Sequence, residues 1–424
     1  MMRLRINFIL GSVFFVCVIF VSAKKCSGQN QYNLYYDFNY SMISGAENLL
    51  TLHKATVSFE NRYLKTKFND ENKPFQKAAG MFYRASKTVL LDNIIDYLTI
   101  LAQHEIFGHG ARYREFGHID NSFHLSLVPP FGNGHGFAQS GQLKDPYRKT
   151  SECENLMKTV GGNEANTVLS QHIIGNWLSR GSIDYRESLL YLESTNNLLG
   201  YIFLTKYEIK YKKPLSNGND IMSYMLNMQL AYNNGKKYDI DDLVGQSLVG
   251  IINPFQFIAA FAFSYSYLFK GNDSLKLPMI RIKNTRYLPA FHYGLCPFGT
   301  EYYFDNYLVK NKKVVTAYFR HGDKRYFNFW GFGMNTLNIL PYRNVIISPC
   351  FDIWNQPAFE LGGDTLNPHK AGYGGAISGN FNWYFRQNSR TGISLQLGYK
   401  TAGYLAGENL ANGIIFRAGL CFKE

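Results

Sequence analysis

The chain has 424 residues, of which 46% are hydrophobic and 18% are charged, and its formal net charge at pH 7 is +13. This length predicts two or three domains, and the apolar content supplies a core and excludes an intrinsically disordered chain. The basic residues are scattered, with the densest cluster at 310–313. We therefore expect a solvated basic surface or contact with anionic lipid, and no nucleic-acid partner.

The first 23 residues have the pattern of a secretory signal peptide. Arg3 and Arg5 precede an apolar stretch at 6–21, and the segment 21–23 (Val-Ser-Ala) has small residues where a signal peptidase cleaves. We expect cleavage after Ala23; the alternative is an uncleaved N-terminal anchor. The pattern predicts an exported protein.

The two halves of the mature chain differ in hydrophobic periodicity. Residues 24–40 are polar and rich in Tyr and Asn, which indicates an extended segment that leads into the helical unit. Apolar residues at three- and four-residue steps predict helices over much of 42–270, including 151–179, 183–210 and 220–232, and the strongest of these runs from Ala85 to Phe116. From about Pro278, short alternating segments rich in aromatic residues predict antiparallel strands, for example at 300–308, 325–331 and 391–399. The expected fold class is α+β, with a mainly helical unit at 42–270 followed by a β-rich unit at 278–424.

The strongest chemical motif lies near the end of the helix predicted at 85–116. Residues 104–109 read His-Glu-Ile-Phe-Gly-His, and two imidazoles with a carboxylate suit a catalytic zinc site. On a regular α-helix, however, residues five apart lie about 140° apart around the axis. His104 and His109 can share one Zn²⁺ only if the helix is widened by a π-type turn, and Gly108 gives the backbone the freedom for it.

A second segment, Gly161-Gly162-Asn163-Glu164-Ala165-Asn166, belongs to the next predicted helix. The two segments together resemble the gluzincin metallopeptidases, and 104–109 is similar to the widened signature of the dipeptidyl peptidase III family. That family takes its third metal ligand from a Glu on a downstream helix. It is larger, and it has neither an export signal nor a β-rich tail, so the resemblance covers these two segments only. It implies a zinc site formed by His104, His109 and Glu164.

In this interpretation the protein is a zinc-dependent hydrolase, and its substrate is a peptide or protein. Glu105, next to a ligand, is the expected general base. The segment 123–128 is predicted to be a strand that can pair with an extended peptide. The remaining candidates, which would orient a ligand imidazole or stabilise the transition state, are Asn166, Asp96, His135, His172 and Tyr147.

Each assignment has a purely structural alternative. The two histidines can be ordinary helix-end residues, with Glu105 paired to Arg112. Glu164 can be an acidic residue stabilised by the dipole of a first helical turn, and His172 can be a core residue on an apolar helix face.

The C-terminal unit resembles the closing part of bacterial outer-membrane β-barrels, which end on a strand near an aromatic residue. Here the last predicted strand, 414–422, ends at Phe422, but Lys423 and Glu424 follow it. The resemblance implies a whole or partial barrel in contact with outer-membrane lipid, and, with the export signal, a location in the outer membrane or periplasm of a Gram-negative bacterium. The alternative is a soluble β-sandwich. If the histidine motif is structural, the protein would be a non-enzymatic channel or surface-binding barrel.

Overall fold

A computed structural model describes residues 31–63, 73–129, 131–148, 150–212, 218–232, 238–322, 328–358, 367–386 and 389–423. The predicted signal peptide lies outside these residues.

A long helix that carries the histidine motif is built from five successive segments. They are α2 (Pro74–Lys87), a first π segment (Thr88–Asp92), α3 (Asn93–Ala102), a second π segment (Gln103–His109) and α4 (Gly110–Glu115). The other helices are α1 (Met42–Tyr63), α5 (Glu152–Arg180), α6 (Tyr185–Lys210), α7 (Asp220–Tyr232), α8 (Ile240–Ser247) with a 3₁₀ turn (Leu248–Ile252), and α9 (Pro254–Phe261) with a third π segment (Ala262–Phe269).

Most of the strands form one antiparallel sheet of 11 strands, in the order β1-β15-β14-β13-β12-β10-β9-β8-β7-β6, with β11 paired to β12. Its strands are β1 (Gln31–Tyr36), β6 (Ile280–Ile282), β7 (Thr285–Cys296), β8 (Gly299–Lys310), β9 (Lys313–Gly322), β10 (Trp330–Leu337), β11 (Leu340–Tyr342), β12 (Val345–Ala358), β13 (Asn367–Tyr384), β14 (Thr391–Lys400) and β15 (Gly413–Lys423). Two small sheets pair β2 (Ser122–Leu125) with β3 (Gly136–Gln139), and β4 (Ser182–Asp184) with β5 (Ser274–Lys276).

The large sheet is open, because its end strands β1 and β6 are not paired with each other within the described residues. Backbone groups on the free edge of β1 form hydrogen bonds with side chains of helix α1. The Asn48 side chain accepts from Tyr35 N and donates to Tyr35 O, at 2.6 and 2.9 Å, and Thr51 Oγ1 donates to Asn33 O at 2.7 Å. At the other end, β6 has only three residues. Both features reduce the length of strand edge whose backbone groups lack hydrogen-bond partners.

The helical part packs against the inner face of β7–β9. Trp177 of α5, Phe255 of α9 and Tyr307 of β8 belong to one buried cluster, in which the rings of Phe255 and Tyr307 meet edge to face, 5.4 Å apart. The predicted mixture of helices and antiparallel strands is thus confirmed. One detail differs: β1, from the segment expected only to lead into the helical unit, belongs to the C-terminal sheet.

No single helix of the described residues is long and apolar enough to cross a membrane. The helices Ile240–Ile252 and Pro254–Phe269, which are bent by 60° relative to each other, satisfy those criteria only when taken together.

Candidate metal centre

The histidine motif lies on the second π segment, Gln103–His109. This confirms the widened turn that the spacing of the two histidines requires, because a π turn brings residues five apart to the same side of a helix. The structure gives Gly108 a role in packing, which differs from the backbone freedom expected from the sequence. A Cβ atom at Gly108 would lie 2.7 Å from the carbonyl oxygen of Gly161, so glycine allows the motif and helix α5 to touch.

Three side-chain donor atoms converge beside this helix. His104 Nε2 and His109 Nε2 are 3.2 Å apart, and Asp220 Oδ2 lies 3.2 Å from the first and 3.3 Å from the second. Asp220 is the first residue of α7. Within the described part of the chain, these three residues are the one group of His, Cys, Asp or Glu donors compact enough to hold a metal ion.

The second ring nitrogen of each histidine also has a partner. His109 Nδ1 donates to Lys158 O at 2.7 Å, which leaves Nε2 free to bind a cation in the neutral tautomer. His104 Nδ1 lies 3.2 Å from Asn166 Nδ2, as expected of a residue that orients a ligand imidazole. The Oδ1 atom of Asn166 is buried without a partner among the described residues. Rotation of this amide would let Oδ1 accept a hydrogen bond from the Nδ1–H of His104 and leave His104 Nε2 free for a metal.

In the absence of a metal ion, a proton on His109 offsets the negative charge of Asp220. Burial opposes protonation of His109, but Asp220 and Glu105 outweigh it and raise the pKa of His109 to about 9. Burial also opposes ionisation of Asp220, but His109 and His104 hold its pKa well below the usual range. A cation that replaced the proton on His109 would bind an Asp220 carboxylate that is already ionised.

The distances fit a tetrahedral zinc ion. Ligand bonds of about 2.0–2.1 Å at tetrahedral angles place donor atoms roughly 3.3–3.4 Å apart, and the three observed separations are 3.2, 3.2 and 3.3 Å. Two imidazole nitrogens and one carboxylate oxygen are also ligands that zinc accepts. The residues present therefore fit such an ion, with one coordination position left for water or substrate.

Glu105 lies beside this group with its carboxylate buried. Its Oε2 atom has no hydrogen-bond partner in the described residues. Burial raises the pKa of Glu105 above its ordinary value, although the charges of His104 and His109 act in the opposite direction. The carboxylate interacts with the backbone N–H of Ala138 on β3. The partner of β3 is β2 (Ser122–Leu125), which lies in the segment expected as a strand at 123–128.

Glu164, expected as the third ligand, does not reach the two histidines. Its carboxylate accepts from Arg112 Nη2 at 2.6 Å and from Gly407 N at 2.8 Å. The helix geometry explains this, because residues three or four apart share a side. Gly161 and Glu164 face Arg112, whereas Gly162 and Asn166 face His104. Arg112, considered as a partner for Glu105, is instead paired with Glu164 and Glu115.

The other expected candidates lie elsewhere. His172 Nδ1 forms a hydrogen bond with Glu47 Oε1 at 2.8 Å. Asp96 Oδ1 forms one with His53 Nε2, also at 2.8 Å. Tyr147 is 93% exposed. His135 is exposed in the loop before β3, and no contact of it with the three donor groups is found in the described structure.

No protein-family model, curated protein or solved structure matches this chain. The case for the site is therefore geometric.

Asp220 was missed by the sequence reasoning. It follows His109 by 111 positions (220 minus 109), and nothing in its local sequence separates it from an ordinary acidic residue in a first helical turn. A search for every acidic residue that opens a predicted helix would have included it, together with several others.

Proposed function

We propose that this protein is a zinc-dependent hydrolase that cleaves peptide bonds. The zinc ligands in this proposal are His104, His109 and Asp220. The observation that supports it is the mutual separation of the three donor atoms, 3.2–3.3 Å. Donor atoms with these separations can occupy the corners of one face of a tetrahedron centred on zinc. A zinc ion there would supply a Lewis acid for a carbonyl group and lower the pKa of water towards about 7.

Glu105 is the proposed general base. It neighbours His104 in sequence, and its Oε2 has no other hydrogen bond in the described residues. Burial raises its pKa, which makes the carboxylate a stronger proton acceptor than an exposed one. It takes a proton from the attacking water and delivers it to the leaving amine.

Tyr113 is the proposed donor to the oxyanion that forms during attack. Its ring stacks on that of His109, with centroids 6.3 Å apart, and its hydroxyl donates to Ala138 O at 3.3 Å. Burial, with the charges of Asp220 and Glu105, raises its pKa to about 12, so the hydroxyl stays protonated. A weak hydrogen bond to a backbone carbonyl is readily exchanged for a stronger bond to an oxyanion.

The test is cleavage of a mixed peptide library, read by mass spectrometry, with the purified full chain loaded with zinc. Glu105→Gln keeps the size of the side chain and removes the base, so we expect the rate to fall by roughly 10²–10⁴-fold with zinc content unchanged. Glu115→Gln is a matched control, because Glu115 pairs with Arg112 away from the donor group. Equal rates in the wild type and Glu105→Gln would exclude Glu105 as the base. A zinc-loaded wild type that cleaves no peptide would overturn the proposed reaction.

A further inference from the structure

The outer face of the large sheet is apolar and exposed. On strand after strand, outward residues are aromatic or aliphatic, and directly paired positions form continuous rows. One row crosses five neighbouring strands: Phe291, Phe304, Phe319, Phe332 and Ile353. A second crosses the next strands: Met334, Phe351, Ile377, Tyr399 and Ile414. All ten side chains are at least 36% exposed.

The inner face carries apolar residues that pack on the helices, such as Leu288 and Val309, together with buried charged residues. Arg320 and Glu301 are 1% exposed and form an ion pair at 2.8 Å, and buried Arg417 contacts Gln396 and Glu408, both at 2.7 Å. An antiparallel sheet with one face in water has a different arrangement, apolar towards the core and polar towards solvent. The outer face of this sheet therefore has the composition expected of a surface that lies in an apolar medium.

The size of the apolar face fits a bilayer. On β14 the outward apolar residues run from Ile393 to Tyr399, and six residue steps of a strand cover about 20 Å. This is close to the roughly 25 Å apolar band of lipid-facing sheets. The rows together span eight neighbouring strands, from β7 to β15.

Basic residues mark one end of this face. Antiparallel pairing places the turns after β6, β8, β11 and β13 at the same end of the sheet. The segments 280–286, 308–314, 337–345 and 384–391 contain no Asp or Glu. Their exposed basic residues include Lys283, Lys310, Lys312, Lys313, Arg343 and Arg386, which we call the basic rim.

We propose that the outer face of the sheet is inserted in a phospholipid bilayer, with the basic rim at a leaflet of anionic headgroups. An apolar band bordered on one side by cations complements the chemistry of such a leaflet, in which hydrocarbon lies directly beneath anionic phosphates. The inference is independent of the metal centre, which lies in the helical part of the chain.

Tryptophan fluorescence tests the apolar face. The chain has 4 Trp; Trp330 and Trp383 face outward, and Trp177 and Trp354 are buried. The full chain is transferred from detergent into vesicles of phosphatidylglycerol and phosphatidylcholine in equal parts, with bromine on the acyl chains. We expect bromine to quench the wild type and to lose this effect in Trp330→Phe/Trp383→Phe, whose substitutions are exposed and conservative.

Two other results would overturn the proposal. Quenching of the outward tryptophans by aqueous iodide, and not by bromine, would place the face in water. Protection from both quenchers would show that a protein surface, such as a second copy of the chain, covers it.

The basic rim is tested by partition of the chain between buffer and the same vesicles. Removing three charges in Lys310→Gln/Lys312→Gln/Lys313→Gln should reduce partition roughly 100-fold at low salt, because each basic residue near an anionic surface contributes about fivefold. The matched control Lys77→Gln/Lys144→Gln/Lys210→Gln removes three exposed charges of the helical part and should leave partition nearly unchanged. Equal losses in both variants would overturn the assignment of the rim.

Discussion

Asp220→Asn tests whether the three converging groups hold a metal, because it preserves the shape of the side chain and removes its charge. A carboxylate oxygen about 2.1 Å from Zn²⁺ is attracted by about 4 kcal/mol even at the dielectric constant of water. This corresponds to roughly a thousandfold in affinity. Asp220 Oδ2 lies 3.2 and 3.3 Å from the two imidazole nitrogens and is the one anionic donor of the three.

The assay combines zinc content after dialysis with urea unfolding in the presence and absence of zinc. At a free zinc concentration of about 100 times the Kd, the ion stabilises the wild type by about 2.7 kcal/mol. After a thousandfold loss of affinity, the same concentration contributes less than about 0.1 kcal/mol. Zinc should therefore stop shifting the unfolding midpoint of the Asp220→Asn protein.

Glu164→Gln is the matched control, since it makes the same chemical change in another buried carboxylate. It weakens the ion pair with Arg112, so the free energy of unfolding should fall by about 3 kcal/mol while zinc uptake is retained. The opposite pattern, zinc kept by the Asp220 variant and lost by the Glu164 variant, would restore the ligand set expected from sequence. If both variants and the wild type bind no zinc, the site holds no such metal.

Three further changes probe the surroundings of the site and the core. Gly162→Ala would place a Cβ 2.3 Å from His104 Nε2, so zinc affinity by calorimetry should fall at least about tenfold, whereas Gly200→Ala, with no heavy atom within 4 Å, should leave it unchanged. Tyr113→Phe should lower kcat roughly 10²–10³-fold with KM and zinc content unaltered; an unaffected kcat would remove the hydroxyl from the mechanism. Burial raises the pKa of Glu193 from 4.5 to about 8, so its contribution to stability is complete below the lower value and is lost as pH rises through the higher one. Glu193→Gln should therefore stabilise the fold by up to about 5 kcal/mol above pH ~8 and by almost nothing near pH ~4. Urea unfolding that shows an equal gain at both would contradict this cause.

The helices were the most predictable part of the fold. Segments expected at 151–179, 183–210 and 220–232 are found as Glu152–Arg180, Tyr185–Lys210 and Asp220–Tyr232. Their apolar residues recur every three or four positions because one side of each helix faces a core. The same periodicity, with two histidines five apart, was sufficient to predict the π segment.

The sheet was less predictable, because its inner face mixes charged residues such as Arg320 with apolar ones such as Leu288 and Val309, so the contrast between alternating positions is weak. Near the strand expected at 325–331, the structure has Trp330–Leu337, and residues 325–327 lie outside the described residues. Thr285–Cys296 lies in the unit expected to be β-rich but was not singled out as a strand. The pairing of β1 with β15 depends on residues at opposite ends of the chain, which no local pattern reports.

The third ligand could not be derived for a related reason. The motif fixes His104, Glu105 and His109 on one helix, but which acidic side chain meets them depends on how α5 and α7 cross that helix. Gly161 and Gly162 turned out to mark that close crossing, while their neighbour Glu164 faces the other way.

The pairing of β1 with β15 constrains the order in which the protein can be assembled. Tyr32 pairs with Phe422, 390 positions later (422 minus 32), so β1 has no strand partner until β15 has been synthesised. Contacts this distant in sequence slow folding, and until β15 arrives the Asn48 and Thr51 side chains bond only one edge of β1. A truncation before β15 would leave an edge of β1 and an edge of β14 unpaired, so it should yield an aggregating product.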